Sequence, residues 1–291
     1  MVKIIDTTLR DGEQAQGVAF SIMEKIIIAR LLDSLGIYQI EAGTPALGES
    51  EQVAISAIAR LGLKCRVSTW NRLLLGDLRA SLQCGITDLH IAAPVSDILI
   101  QNKFDQNRLW VIDCLKRALR YANDHGCRVT VGAEDASRAD PSFLLDIALL
   151  AQEMGAERFR YCDTLGILDS KSTFQRLSDL KKSLTIELEY HGHNNSGMAA
   201  ANTLGAIKAG IQYFDTTVGE PGMRAGNASL SEVVTALKAN YGVDLFLQRE
   251  ALTQLNDYVD GVTKTAIDRK RHTFSHHKPL RLAKRAYRGT A

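Results

Sequence analysis

Two histidines one residue apart, His191 and His193 in "YHGHNNSG", follow the apolar, acid-dotted run "TIELE". Side chains alternate across a strand, so residues at i and i+2 face the same side. If the run is a strand, both imidazoles point at one place, as a shared metal ion requires. Two hydrogen-bonded polar residues at a strand end would need no metal. The spacing alone leaves both readings open.

Other residues able to do chemistry also follow short apolar runs. "KIIDTT" leads to Arg10, Asp11, Glu13 and Gln14, and "YQIEAG" contains Glu41. Ser96 and Asp97 follow "DLHIAAP", while "RVTVGAED" carries Glu134 and Asp135, with Arg138 just beyond. "RFRYCDT" ends in Asp163 and Thr164, "IELEYHGH" contains Glu189, and Thr216, Thr217, Arg224 and Asn227 follow in turn. Asp11, Asp135, Asp163 and Asn227 stand before helical patterns and could be N-caps. Caps do not account for Glu134 and Glu189 inside apolar runs, because a buried charge is costly unless paired.

The elements that must position these residues alternate. Eight short β-branched or apolar runs are each followed by an amphipathic one, from "SIMEKIIIARLLDSLG" to "NASLSEVVTALKANYG". Such alternation implies a parallel sheet, and eight units imply an α/β fold of the closed (β/α)₈ TIM-barrel type, whose chemistry sits at the C-terminal ends of the strands. No Gly-x-Gly-x-x-Gly or Walker loop competes with this reading. In a barrel, strands 1 and 7 are separated only by strand 8. Asp11, His191 and His193 then converge, with Asn227 as a further oxygen ligand. A mixed carboxylate, imidazole and carbonyl set suits Mn²⁺, Mg²⁺, Fe²⁺ or Zn²⁺ in an open, catalytic site. No thiolate takes part, which disfavours a closed structural zinc.

The barrel is expected over residues 1–242. Residues 243–291 read as a helix, "QREALTQLNDYVDGVTKTAI", and a basic tail. Eight Lys or Arg and no acid occur from Arg269 onward, so 27 basic residues face 33 acidic ones before it, within a net charge of +2. A tail this basic could meet nucleic acid, but it lacks interleaved aromatics and any known module, so a solvated tail is the preferred reading. The five cysteines are widely spaced without Cys-x-x-Cys and read as reduced thiols. The polar N-terminus carries no secretory pattern and no run is long enough to span a bilayer, so a cytoplasmic location without membrane partners is expected.

Several of these segments resemble one family. "DTTLRDGEQAQGVAFS", "GAEDASRAD", "CDTLGI", "HGHNN" and "RAGNASLSEVV" are similar, in order and over residues 3–240, to the motifs of the metal-dependent Claisen-condensing barrels, the 2-isopropylmalate, citramalate and homocitrate synthases. "PVSD" with "EDASRAD" resembles most the homocitrate synthases that serve nitrogen fixation. The resemblance implies condensation of acetyl-CoA with a 2-oxo acid, 2-oxoglutarate first among them. It also implies a metal, Mg²⁺ or Mn²⁺ before Fe²⁺ or Zn²⁺, held by Asp11, His191 and His193, with Asn227 in support. Arg10 would stabilise the developing oxyanion, and Glu134 and Glu189 would orient the site or move protons. Gln14, Arg138 and Thr164 would bind the oxo acid.

The chain departs from the family pattern in three places. Asn194 and Asn195 replace the acidic pair after the second histidine, and Met223 replaces a glutamate. "HTFSHHKPL" begins like the family's Gly-Ile-His segment, but that motif does not arrive; His276 lies near without matching it. The full C-terminal subdomain is likewise not recognisable. The family also implies a homodimer. The missing Gly-Ile-His keeps one alternative in play, an incomplete subunit of a split synthase needing a separate C-terminal chain; a lyase or aldolase running the bond chemistry in reverse on the same barrel and metal is another.

Overall fold

The computed structural model describes residues 2–219, 226–243, 245, 247 and 249–274, the last segment with side chains as far as Ile267. Met223, Arg224, His276 and the tail beyond residue 274 lie outside the described residues. The strands are β1 (Lys3–Asp6), β2 (Gln39–Glu41), β3 (Arg66–Arg72), β4 (Asp88–Pro94), β5 (Arg128–Glu134), β6 (Arg158–Asp163), β7 (Glu187–Gly192) and β8 (Tyr213–Thr216). They pair in sequence order, all parallel, and β8 closes on β1 with Lys3 opposite Tyr213.

Helices α1 (Ile22–Ser34), α2 (Glu49–Ala59), α3 (Leu75–Gln83), α4 (Asp97–Phe104) and α5 (Arg108–Asp124) cover the first half. The second half carries α6 (Pro141–Glu153), α7 (Ser170–Ser183), α8 (Ala199–Lys208) and α9 (Leu230–Tyr241). A last helix, α10 (Arg249–Phe274), follows the barrel. The sequence pattern does not suggest α4, because its eight residues bury only Ile100 and so lack an apolar period. Local signals start the helices. At α1 the Ser21 hydroxyl accepts from the Glu24 N–H at 3.3 Å, and the Glu24 carboxylate accepts from the Ser21 N–H at 2.6 Å, a capping box. Pro141 opens α6 behind Asp140, whose carboxylate accepts from two backbone N–H groups.

Outward-facing strand residues such as Val131, Phe159 and Tyr190 pack beneath the helices in a continuous apolar layer. On the other side Ile4 and Phe214 share a core with Ile28, Val233 and, from α10, Leu255 and Val259. Helix α10 is thus packed onto the barrel through these residues. Among the described residues no helix is long and apolar enough to cross a membrane.

Inward-facing residues are another matter. TIM-barrel interiors are ordinarily filled by branched aliphatics, but this one is filled by charge. Arg158 donates to Gln39 Oε1 at 2.6 Å and to Glu189 Oε2 at 2.8 Å. Arg160 donates to the other oxygen of Glu189 and, at 3.0 Å, to Glu41 Oε2, with Asp215 Oδ2 at 3.3 Å. All of these side chains are at most 1% exposed. Gly132 makes room for this packing, since a Cβ there would collide with the His90 imidazole. Removing one partner of a buried ion pair leaves an uncompensated charge. Arg160→Met is therefore expected to cost about 3–5 kcal/mol of stability, read by denaturant titration.

Candidate metal centre and cleft

A cleft of ≈ 350 Å³ opens at the C-terminal ends of the strands. Arg10, Asp11, Gln14, Thr164, Glu134, His191 and His193 all line it, from four separate strand ends. Asp11, His191 and His193 can each offer one ligand atom, all within 4.8 Å of one another. The two Nε2 atoms are 3.1 Å apart, and Asp11 Oδ2 lies 3.8 Å from His191 Nε2 and 3.6 Å from His193 Nε2. Two donors each about 2.1 Å from one ion stand about 3.0 Å apart at a right angle, so the imidazole pair is spaced as neighbouring ligands of such an ion.

The supporting residues hold this arrangement. His191 Nδ1 lies 2.7 Å from Asp215 Oδ2, so Nδ1–H donates to the carboxylate and the Nε2 lone pair faces the cleft. Burial pushes the His191 imidazole down to about 4 against the pull of Asp11, which leaves it neutral and able to ligate at pH 7. Burial alone would raise Asp11, but Arg10, His193 and His191 outweigh it and hold its carboxyl below the usual range. Burial lifts Asp215 to about 6, with Arg160 restraining the rise. His193 is fixed by its backbone: its N–H donates to the Asp163 carbonyl at 3.2 Å, and it bridges to Asn227. Gly166, at φ +59°, presses on the His193 carbonyl so closely that a Cβ would collide with it. A side chain at position 166 would push the ligand away.

Asn227 donates its amide N–H to Thr7 Oγ1 at 2.7 Å, and its buried Oδ1 has no hydrogen-bond partner among the described residues. A buried, unpartnered carbonyl oxygen beside His193 is the kind of atom that a cation satisfies. The charge balance agrees. Among the described residues, the four carboxylates Asp11, Glu41, Glu189 and Asp215 are ion-paired with three arginines, Arg10, Arg158 and Arg160, in the interior network. The residues fit a divalent ion.

Arg10 bonds Glu41 Oε1 at 2.5 Å and Asp11 Oδ1 at 2.9 Å, which fixes its guanidinium beside the ligand set. Burial would lift Glu41, yet Arg10, Arg160 and His90 together keep it well below the carboxylate range. Thr164 Oγ1 accepts from the Asp135 N–H at 2.8 Å. Gln14 lines the cleft from the loop after β1. Two expected site residues are not brought there. Glu189 lies one interior step below His191 and is bound by Arg158 and Arg160. Arg138 is committed to Asp135, at 2.6 Å, and does not line the cleft. A charge inside an apolar run signals a buried partner as readily as a substrate.

Sequence reasoning missed Asp215, His90, Arg158 and Arg160. The usable signal was period-2 alternation: Arg158 and Arg160 on β6 face the same way as Glu189 and His191 on β7, with Arg160 registered against Glu189. Asp135 and Asp163 prove to be loop holders. Asp163 accepts from the N–H groups of Ile167 and Leu168, and Asp135 accepts from Arg138. Asp215→Asn should cut Mn²⁺ affinity about 10- to 100-fold in calorimetric titration, because it removes the acceptor that orients His191.

Comparison with known proteins adds to this geometry. The HMGL-like family profile matches residues 1–259. The chain is 50% identical over 258 residues to homocitrate synthase 1 of Nostoc sp., covering 89% of this chain and 68% of that protein. It is 45% identical to 2-isopropylmalate synthase 2 of Caldanaerobacter subterraneus, covering 89% and 67%. It is 40% identical to the homocitrate synthase subunit alpha of Clostridium pasteurianum, covering 84% and 91%. In fold it is similar to the hydroxymethylglutaryl-CoA lyase of Pseudomonas aeruginosa, with TM-score 0.79 at 20% identity over 94% of this chain and 98% of that one.

Proposed function

The chain belongs to the HMGL-like family, and from that premise we propose that it is an acyltransferase condensing acetyl-CoA with a 2-oxo acid, 2-oxoglutarate giving homocitrate. The observation that carries this reading is the convergence of Asp11, His191 and His193 beside Arg10 in one cleft. In the reaction the acetyl methyl gives up a proton and its carbon bonds to the keto carbon of the oxo acid, whose oxygen takes the displaced electron pair and then a proton. Water then cleaves the thioester and releases CoA.

Asp11, His191 and His193 would hold the divalent ion, Mg²⁺ or Mn²⁺, with Asn227 Oδ1 in support. When bound, that ion supplies Lewis acidity to the keto group and its neighbouring carboxylate. Arg10, held rigid by Glu41 and Asp11, directs N–H donors into the cleft where the keto oxygen gains negative charge. Thr164 and Gln14 would position the acid's carboxylate. Glu134 is the cleft-wall carboxylate placed to move a proton, its side chain 23% exposed and 3.1 Å from Lys103 Nζ. Glu189 acts on none of these atoms; it fixes Arg160 and, through Asp215, the ring of His191.

One observation favours a second reading. The chain covers 91% of the Clostridium relative named as a subunit, against 68% of the Nostoc relative. On that reading it works with a separate partner chain, and assay with and without a co-expressed C-terminal partner separates the two. The cytoplasm is its proposed place, with a homodimer as its assembly.

Thiol-reactive detection should register CoA release that requires acetyl-CoA, an oxo acid and Mn²⁺ or Mg²⁺ together. His193→Ala and Asp11→Ala should each lower it by more than ~100-fold, beyond the loss from a supporting residue, with far-UV circular dichroism unchanged. Turnover that survives thorough chelation, or that these variants retain, would refute the reading.

A further inference from the structure

Outside the cleft, α1 buries a cation that none of the site chemistry uses. Lys25 is 2% exposed, and a lysine is rarely so buried unless it is paired. Its ammonium lies 2.6 Å from Glu13 Oε2 and 2.6 Å from Glu51 Oε2. The two carboxylates come from different parts of the mouth. Glu13 stands in the loop after β1, between Asp11 and Gln14. Glu51 stands in the first turn of α2, behind the loop that follows β2.

Each carboxylate also holds a backbone N–H with its other oxygen. Glu13 Oε1 accepts from the Phe20 N–H at 2.8 Å, just before the Ser21 cap of α1. Glu51 Oε1 accepts from the Thr44 N–H at 3.2 Å, in the loop that Glu41 leads into. The same oxygen packs so closely on Gly43 that a Cβ there would collide with it. Two loops are thus gripped by side chains that converge on one ammonium. They are also the two loops that the Arg10–Glu41 pair joins on the inner side. Without the ammonium, two partly buried carboxylates would face each other across them and repel.

We propose that Lys25 is a positioning residue. Through Glu13 and Glu51 it sets the loop after β1, and with it Arg10 and Asp11, against Glu41. The role rests on the proposed function, in which Arg10 and Asp11 serve the condensation.

The test uses the full chain and two readouts. Calorimetric titration with Mn²⁺ reads the Asp11 end, and kcat for CoA release from acetyl-CoA and 2-oxoglutarate reads the Arg10 end. Lys25→Met keeps most of the packing and removes the charge. It should weaken Mn²⁺ binding and lower kcat, each by about 10- to 100-fold, the effect of displacing a placed group. Lys25→Arg should hold both near the parent values. Lys25→Met combined with Glu13→Gln should recover most of the loss, because an amide there can donate to Glu51 and still accept from the Phe20 N–H. Glu13→Ala keeps the Lys25–Glu51 pair and releases the loop, so it decides the matter if Lys25→Met does not fold; it should weaken Mn²⁺ binding about 10-fold or more. A rescued loss in either readout supports the role. Parent-like Mn²⁺ affinity and kcat in Lys25→Met, or in Glu13→Ala where that variant alone folds, overturn it. So do losses that neither rescuing change reverses, since those would be effects of packing. If Mn²⁺ affinity follows this pattern while no chain releases CoA with any oxo acid, the condensation reading falls and the positioning role stands. If the parent chain releases CoA and the variants shift neither quantity, the positioning role falls alone.

Discussion

The hydrogen-bonded ion chain along the barrel axis is the constraint on which the rest of this structure depends. It runs from Gln39 and Arg158 through Glu189, Arg160 and Asp215 to His191, and through Glu41 to Arg10 and Asp11 at the mouth. Taking so many charges out of water is expensive, and an aliphatic filling would generally be more stable. What the ions contribute is direction. Each charged group is held by two or more partners, so the side chains reaching the cleft have one orientation before any substrate arrives. Preorganisation of this kind is what electrostatic catalysis requires.

The same network polarises the cleft. On the β1 and β7 side, an excess carboxylate and the imidazoles of His191 and His193 make a place for a cation. On the β3 to β5 side stand Trp70, His90 and Glu134, the last paired with Lys103 at 3.1 Å. Arg10 stands beside this cation side, bonded to Asp11 Oδ1 at 2.9 Å. One fold feature thus orients both the candidate ligands and the arginine beside them.

Much of this was legible in the sequence, and the reasons are physical. Strand and helix periods alternate plainly in eight units, and parallel strands joined by helices close in order. Once closure is granted, the residues after each strand must share one mouth, which is how Asp11 and the His191–His193 pair could be joined across 180 residues. Glu189 and Arg138 show where that logic stops. Strand-end position places a side chain near the mouth but does not say how deep it lies or which neighbour claims it. One step of the pleat lowers Glu189 out of the cleft, and a turn of loop commits Arg138 to Asp135.

The sequence by itself determined the barrel, the helix starts such as Ser21 with Glu24, and the identity of the residues offered to a cation, because period, capping and strand order are local or sequential properties. Only the tertiary structure decided the partners inside the barrel. Arg160 meets Glu41 over 119 residues and His90 over 70. Such meetings depend on strand register and tilt around a closed ring, which no local pattern encodes. For the same reason the orphaned nitrogen of His90 and the orphaned oxygen of Asn227 emerge only in three dimensions, as atoms whose neighbours have all been assigned elsewhere.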